Sequence, residues 1–177
     1  LRRPAVLAKS LATLDVLSHG RVDLGVGVGW QKEEYDACGL DFANRGRLLD
    51  HTLEVCQTLW TQPSAQYSAN ELQFSDIHAM PKPLQNGGVP IWVSGTVNKL
   101  SMRRLATFGY GWIPWGPDAI DITSGIESMR KAVSAYGRDP DEIQVIGTLP
   151  ITRNDDGIDL DATMSNVPEL ISAGETD

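Results

Sequence analysis

Two hydroxyl side chains and a glycine stand together where a small anion could bind. Ser94, Gly95 and Thr96 follow the short apolar stretch Val89–Val93 and lead into a helical pattern. Free backbone N–H groups at a helix start attract phosphate groups, and a glycine lets a phosphate approach the backbone. On this interpretation a side chain at Gly95 would block the phosphate. The alternative is a simple Ser/Thr cap of the helix, which is the more common role.

A glycine-rich strand is the second candidate. In the run Val22–Gly29, apolar residues alternate with one aspartate and three glycines, and a period of two indicates a strand. Glycine weakens a strand, and the usual reason for it is the close approach of a ligand or of another backbone. The approach of a ligand to this strand is one interpretation of its glycines. Crowding by a neighbouring helix is the alternative.

Aromatic and charged residues follow the ends of two predicted strands. Trp30 and Trp115 stand just past strand ends, where α/β proteins bind their ligands. Their flat rings could stack on a flavin-like ring system, or could pack at the rim of the fold. Glu33, Glu34 and Tyr35 are candidates for a lid or a polar contact, and a solvated loop explains them equally well.

Metal sites and catalytic triads find no support in the sequence. The three histidines are scattered, and Cys38 and Cys56 lack metal-binding spacing. The run Asp155–Gly157 resembles part of a calcium loop, but no Glu stands at the closing position. No Ser-His-Asp or Cys-His arrangement stands out. The catalytic residues therefore stay unassigned, and no metal is predicted.

Strands and helices alternate along the chain, which predicts an α/β fold with parallel strands and right-handed crossovers. The four predicted strands are Val22–Val28, Val89–Val93, Trp112–Trp115 and Ile143–Leu149. A hairpin within Gln66–Phe74 is expected on the face away from the ligand. No linker interrupts the pattern, so we expect one domain over residues 1–177.

Helix caps are predicted at Asp41 or Asn44 and at Asp118 or Asp121. The apolar residues of the two capped helices predict their buried faces, which are Leu49, Leu53, Cys56 and Trp60 in the first and Ile122, Ile126, Met129 and Val133 in the second. A turn is predicted at Asn154–Gly157, and a last helix at Val167–Ala173 with Gly174 as its end.

A partial barrel explains these elements better than a dinucleotide-binding sheet. The Gly-x-Gly-x-x-Gly and Gly-Lys-Ser/Thr motifs of nucleotide-binding loops are absent. An eight-stranded barrel typically needs ~250 residues, and four strands make about half of one. The first residue is Leu1 and a helical pattern begins at once. We therefore expect that both termini lie inside a larger repeating architecture.

Composition limits the possible partners. The chain has 177 residues and a net charge of −8, which argues against nucleic acid and anionic membranes as partners. No apolar run approaches the ~18 residues that span a bilayer. No secretory leader is recognisable. Two cysteines without metal spacing are typical of reduced thiols, and the expected location is cytoplasmic.

Three segments together resemble the luciferase-like monooxygenase superfamily, the flavin- and deazaflavin-dependent barrel oxidoreductases. They are Leu11–Arg21 with Gly25–Trp30, then Pro81–Pro83 with Pro90–Gly95, and then Gly109–Trp112 with Gly137–Pro140. The similarity extends from about Leu1 to Leu149. It is greatest to the actinobacterial branch of probable oxidoreductases that depend on coenzyme F420.

The resemblance implies a partial (β/α)8 TIM barrel that lacks strands one to three and the eighth. It also implies cofactor contacts by Gly27, Val28, Gly29 and Trp30, and a cofactor phosphate near Ser94, Gly95 and Thr96. The implied activity is hydride transfer between coenzyme F420 and an organic small molecule. An FMN-dependent monooxygenase is the alternative, and an inactive barrel fragment or assembly subunit is the alternative of another class. Association into a homo-oligomer or with the missing strands is expected.

Overall fold

A proline begins the first helix, α1 (Pro4–Leu17), at a position where its missing N–H costs nothing. The helix ends where His19 (φ 58°) and Gly20 (φ 77°) turn the chain into the left-handed region. This computed structural model describes residues 2–176. It divides into two units, of which the first ends at Ile91 and the second begins at Trp92.

The first unit contains three helices and a hairpin besides its short strand. Its elements after α1 are β1 (Leu24–Val26), α2 (Lys32–Ala37), α3 (Arg45–Thr61), β2 (Ala65–Ser68) and β3 (Gln73–Ile77). Asp41 caps a 3₁₀ turn, Phe42–Asn44, that leads into α3. The predicted hairpin is confirmed, since β2 and β3 are antiparallel and Tyr67 lies opposite Phe74.

The core of the first unit lies between α1 and α3. The indole Nε1 of Trp60 donates a hydrogen bond to the carbonyl of Ala8 (3.0 Å), and Cys56 beside it is completely buried. Burial raises the pKa of the Cys56 thiol to about 12. The apolar stripe predicted for α3 is therefore confirmed as its packing face.

A buried carboxylate holds the chain between the hairpin and the sheet. Asp15 has no exposed surface and accepts hydrogen bonds from Leu84 N–H (2.7 Å) and Gln85 Nε2 (2.8 Å). Gln85 Nε2 also donates to the Val22 carbonyl (2.7 Å), just before β1. Burial raises the pKa of Asp15, but the hydrogen bonds from Gln85 and Leu84 outweigh it and leave this pKa below its ordinary value. These bonds fix where β1 begins.

The second unit carries three parallel strands. Its elements are β4 (Ile91–Gly95), which begins at the last residue of the first unit, α4 (Lys99–Phe108), β5 (Gly111–Pro114), α5 (Pro117–Ile120), α6 (Ile122–Ser134) and β6 (Gln144–Val145). β5 pairs with β4 and β6, and Trp112 lies between Val93 and Val145 in register. These strands and β1 form a four-stranded sheet. β1 joins it where Leu24 N–H donates to the carbonyl of Pro90 (2.8 Å), just before β4. The predicted α/β class is confirmed.

Two predicted strands are longer than the observed ones. β1 covers three residues of Val22–Val28, and β6 covers two residues of Ile143–Leu149. The register places Pro114 opposite the residues that follow β6, and proline has no N–H to donate. The pairing of β6 therefore stops early. On the other side of β6, the N–H of Val145 donates to the hydroxyl of Thr176 (2.7 Å), and the N–H of Thr176 donates to the Val145 carbonyl (2.9 Å).

The C-terminal part of the second unit is a small hairpin followed by two helices. They are β7 (Arg153–Asn154), β8 (Gly157–Ile158), α7 (Leu160–Met164) and α8 (Val167–Ala173). The turn predicted at Asn154–Gly157 and the last helix are confirmed, and Gly174 ends α8 with a φ of 102°. The sequence patterns missed α2, α5 and α7, which are short.

Candidate functional site

The end of β4 carries the residues predicted to bind a phosphate. Ser94 and Gly95 are the last two residues of β4, and Thr96 begins the loop to α4. The helix itself begins at Lys99 and is capped by Asn98, whose Oδ1 accepts from the N–H groups of Leu100 and Ser101, both at 3.0 Å. The alternative in which Ser94 or Thr96 caps the helix is therefore wrong, because Asn98, two residues after Thr96, performs that function.

Gly95 is required here for its backbone conformation. Its φ is 152°, in the region that side chains rarely adopt. An added Cβ would lie 3.6 Å from Cβ of Ser101, which is ordinary contact with α4. Backbone strain is therefore one reason for the glycine, and the expectation that a side chain at Gly95 would block a phosphate stays a prediction. Ser101 Oγ donates to the Thr96 carbonyl (2.5 Å) and holds the loop against the helix.

Three backbone donors remain available in the loop. The capping bonds use the N–H groups of Leu100 and Ser101, and the carboxylate of Asp118 accepts the N–H of Val97 (2.7 Å). Within residues 2–176, the N–H groups of Thr96, Asn98 and Lys99 have no acceptor. These donors lie at a helix N-terminus, where the aligned peptide dipoles favour negative charge.

The loop is tied to the end of β5. Indole Nε1 of Trp112 donates to the Gly95 carbonyl (2.9 Å), and Trp112 is fully buried. A Cβ built on Gly116 would lie 3.5 Å from the methyl carbon of Thr96. Since β4 and β5 are parallel, these contacts join the carboxyl ends of both strands. Trp115 follows β5 with 65% of its surface exposed, so packing at the rim does not account for it.

The residues that follow β1 are mostly exposed, and one buried aromatic side chain binds their backbone. The predicted alternation is confirmed, since Gly27 and Gly29 are exposed while Val28 is half-buried. Trp30 is 81% exposed. Tyr35 of α2 is buried, and its hydroxyl donates to the Val28 carbonyl (2.7 Å). Tyr35 therefore makes a polar contact that holds the turn after β1, and it is not part of a solvated loop.

The structure also brings together a cluster that the sequence analysis missed. The hydroxyl of Tyr67 donates to a carboxylate oxygen of Glu54 (2.7 Å) and lies 2.9 Å from Nδ1 of His51. Burial and the Glu54 bond raise the pKa of Tyr67 to about 12, and burial lowers the pKa of His51. The spacing of His51 and Glu54 on one face of α3 was the available signal. These contacts join α3 to the hairpin.

Titratable groups do not form a metal centre in the described part of the chain. Within residues 2–176, no group of three or more His, Cys, Asp or Glu side chains is arranged to hold a metal ion. None of the helices described there is long and apolar enough to cross a bilayer. The arrangement at β4 can bind an anion through N–H groups, and it supplies no obvious proton donor or acceptor besides Asp118.

Comparison with known proteins identifies the family. The sequence profile of the luciferase-like monooxygenases matches residues 1–166. The chain belongs to this family. An uncharacterised protein of Mycobacterium tuberculosis is 38% identical over 136 residues, which are 77% of this chain and 48% of that protein. The pyrimidine monooxygenase RutA of Allorhizobium ampelinum is 30% identical over 141 residues, 76% of this chain and 37% of RutA.

Solved structures of oxidoreductases share the fold. The monooxygenase RslO1 of Streptomyces bottropensis has a TM-score of 0.71 at 20% identity, covering 97% of this chain and 52% of its own. An F420-dependent secondary alcohol dehydrogenase has a TM-score of 0.67 at 20% identity, covering 82% and 44%. The chain thus spans about half the length of the relatives and structures that it matches. The expected barrel architecture is confirmed at the level of the fold.

Proposed function

We propose that this chain supplies cofactor-binding elements of a luciferase-like oxidoreductase that moves a hydride between coenzyme F420 and an organic small molecule. Membership in the family supports an oxidoreductase or monooxygenase. The bound deazaflavin would supply the redox chemistry, as cofactors do in such enzymes. The contribution of these residues would be to bind and orient it.

The observation that carries the proposal is the set of free donors after β4. We assign the cofactor phosphate to Ser94, Gly95 and Thr96, with the backbone N–H groups of Thr96, Asn98 and Lys99 as donors. Charge-assisted hydrogen bonds from N–H groups are the usual means of holding phosphates at helix starts. The φ of Gly95 and the bond from Trp112 keep the loop in shape without the ligand. The site is therefore preorganised.

The assignment of Gly27, Val28, Gly29 and Trp30 to the cofactor is a separate part of the proposal. Gly27 and Gly29 are exposed just after β1, and the missing side chain of Gly27 leaves room for a flat ring system beside the backbone. The hydroxyl of Tyr35 holds the backbone of Val28 through a hydrogen bond to its carbonyl. The exposed indole of Trp30 offers an aromatic surface for stacking. Each feature fits a planar cofactor ring.

An FMN-dependent monooxygenase is the second candidate, and specific relatives favour it. The FMNH2-dependent dimethylsulfone monooxygenase of Pseudomonas putida is 28% identical over 138 residues, 76% of this chain and 38% of that enzyme. The alternative of another class is an inactive half-barrel that serves only in assembly, with a second copy or with further barrel strands.

Binding titrations separate these possibilities. The chain would be titrated with coenzyme F420, FMN and riboflavin by calorimetry, and circular dichroism would report its helix content. Tighter binding of F420 than of FMN supports the proposal, and the reverse order supports the FMN-dependent alternative. A folded chain that binds none of the three would overturn the cofactor assignment and favour the assembly subunit. Light scattering of the same samples would report self-association.

A further inference from the structure

The proposed function assigns the loop between β4 and α4 to the phosphate. One backbone N–H of this loop already donates to a side-chain carboxylate. Oδ2 of Asp118 accepts the N–H of Val97 at 2.7 Å. Val97 lies between Thr96 and Asn98, whose N–H groups are free within residues 2–176. The loop therefore binds an anion of its own chain in the middle of its row of donors.

The backbone of Asp118 has little freedom to withdraw. Asp118 belongs to α5, and Gly125 of α6 packs against it so closely that a Cβ at Gly125 would lie 2.6 Å from the Asp118 carbonyl oxygen. Gly116, just before α5, has a φ of 61°, and a Cβ built on it would lie 3.5 Å from the methyl carbon of Thr96. The position of the carboxylate is thus set by α6 on one side and by the loop on the other.

No cation neutralises this carboxylate inside the described part of the chain. The ion pairs that the structure gives there involve other acidic residues, namely Asp36, Glu71, Asp141 and Glu142. The hydrogen bond from Val97 is the one polar contact of the Asp118 side chain within residues 2–176. A second anion in this loop would therefore meet an uncompensated negative charge.

We propose that Asp118 is a specificity-determining residue that selects the cofactor by the charge of its phosphate group. The inference rests on the proposed function. A phosphate monoester such as that of FMN carries about 1.5 to 2 negative charges at pH 7. A phosphodiester, as in coenzyme F420, carries one. The carboxylate of Asp118 repels both groups, and it lowers the affinity for the monoester more because the monoester carries more charge. The loop therefore binds a phosphodiester in preference.

The expected discrimination follows from Coulomb's law. Consecutive residues of the chain are about 3.8 Å apart, so an anion on the Thr96 or Asn98 N–H is a near neighbour of the carboxylate. The loop is half-exposed, which corresponds to a high effective dielectric constant. Under these conditions one extra negative charge changes affinity on the order of tenfold.

Asp118→Asn is the decisive variant, because its amide oxygen can still accept the Val97 N–H while the charge is lost. FMN and riboflavin form a matched pair of probes, since they differ in the phosphate alone. F420 is compared with its deazaflavin fragment, which lacks the phosphodiester and the group that the diester joins to it. Asp155→Asn, in the exposed β7–β8 turn, removes the same charge elsewhere in the second unit and serves as the control.

We expect Asp118→Asn to strengthen F420 binding relative to its fragment by about tenfold, and FMN binding relative to riboflavin by clearly more, because the monoester carries more charge. Asp155→Asn should change neither ratio. Unchanged ratios in a folded Asp118→Asn chain that still binds F420 or FMN would overturn the specificity role and leave the proposed function intact. If Asp118→Asn weakens all four probes equally, the residue acts only by holding the loop, which also overturns it. Failure of the parent chain to bind any probe would overturn the proposed function and this inference with it.

Discussion

Replacing Lys99 with proline would remove one proposed phosphate donor and little else. Lys99 is the first residue of α4, and proline is tolerated at that position because its N–H has no partner inside the helix. Asn98 before it is extended (φ −145°, ψ 165°), which is the conformation that a following proline requires. Lys99→Ala is the matched control, because it removes the ammonium group and keeps the N–H.

The size of the effect can be worked out from the hydrogen bond that is lost. A hydrogen bond to a charged group contributes about 1.5–3 kcal/mol, and each 1.4 kcal/mol is a tenfold change in affinity. Asn98 and Lys99 are exposed, so water competes for the phosphate and the lower end applies. Lys99→Pro should therefore bind the phosphorylated cofactor about tenfold more weakly than Lys99→Ala.

Calorimetry with F420, FMN and riboflavin would measure this difference, and circular dichroism with thermal unfolding would check the helix. Riboflavin should bind both variants equally, since it has no phosphate. Equal cofactor affinities of the two folded variants would refute the reasoning and move the phosphate away from α4. An equal loss of riboflavin affinity would show that proline distorts the loop, and Thr96→Pro would then repeat the test at the neighbouring donor.

The remaining predictions concern stability and reactivity. Because hydrogen bonds hold the pKa of Asp15 below its ordinary value, its contribution is present above pH ~4 and is lost as the pH falls through the folded pKa. Urea unfolding should show Asp15→Asn less stable by about 2–4 kcal/mol at pH 7, with a smaller difference at pH 3. Tyr35→Phe should lower the free energy of unfolding by about 1 kcal/mol, because the Val28 carbonyl loses its donor. A thiol reagent should titrate Cys38 alone in the folded chain and also Cys56 in urea, since Cys38 is exposed and burial raises the pKa of Cys56 to about 12.

Long periodic segments were predictable because local sequence and burial agree in them. α3 and α6 carry their apolar residues on one face, and the face predicted for each is the buried one. The hairpin of Tyr67 and Phe74 was predictable because polar turn residues separate two alternating runs. The short helices α2, α5 and α7 were missed because four to six residues contain too little periodicity to detect.

The lengths of the strands depended on contacts that no local pattern records. β6 ends after Val145 because Pro114 of the neighbouring strand cannot donate a hydrogen bond. The apolar run Ile143–Leu149 contains no sign of that proline, which lies about thirty positions earlier. A strand's end is a property of the pair of strands, and a single run of residues can predict only its maximum extent.

The same dependence on partners decides what the loop after β4 can do. The sequence places two hydroxyl side chains and a glycine near the start of a helix, and this pattern alone does not distinguish an anion site from a helix cap. The cap turned out to be Asn98, and its side chain satisfies two N–H groups further along the helix. Had Thr96 been the cap, its own hydroxyl would have filled the donors that a phosphate needs. Because Asn98 caps the helix, the N–H groups of Asn98 and Lys99 stay free, and on our proposal Asp118 is the residue that determines how much negative charge this loop accepts.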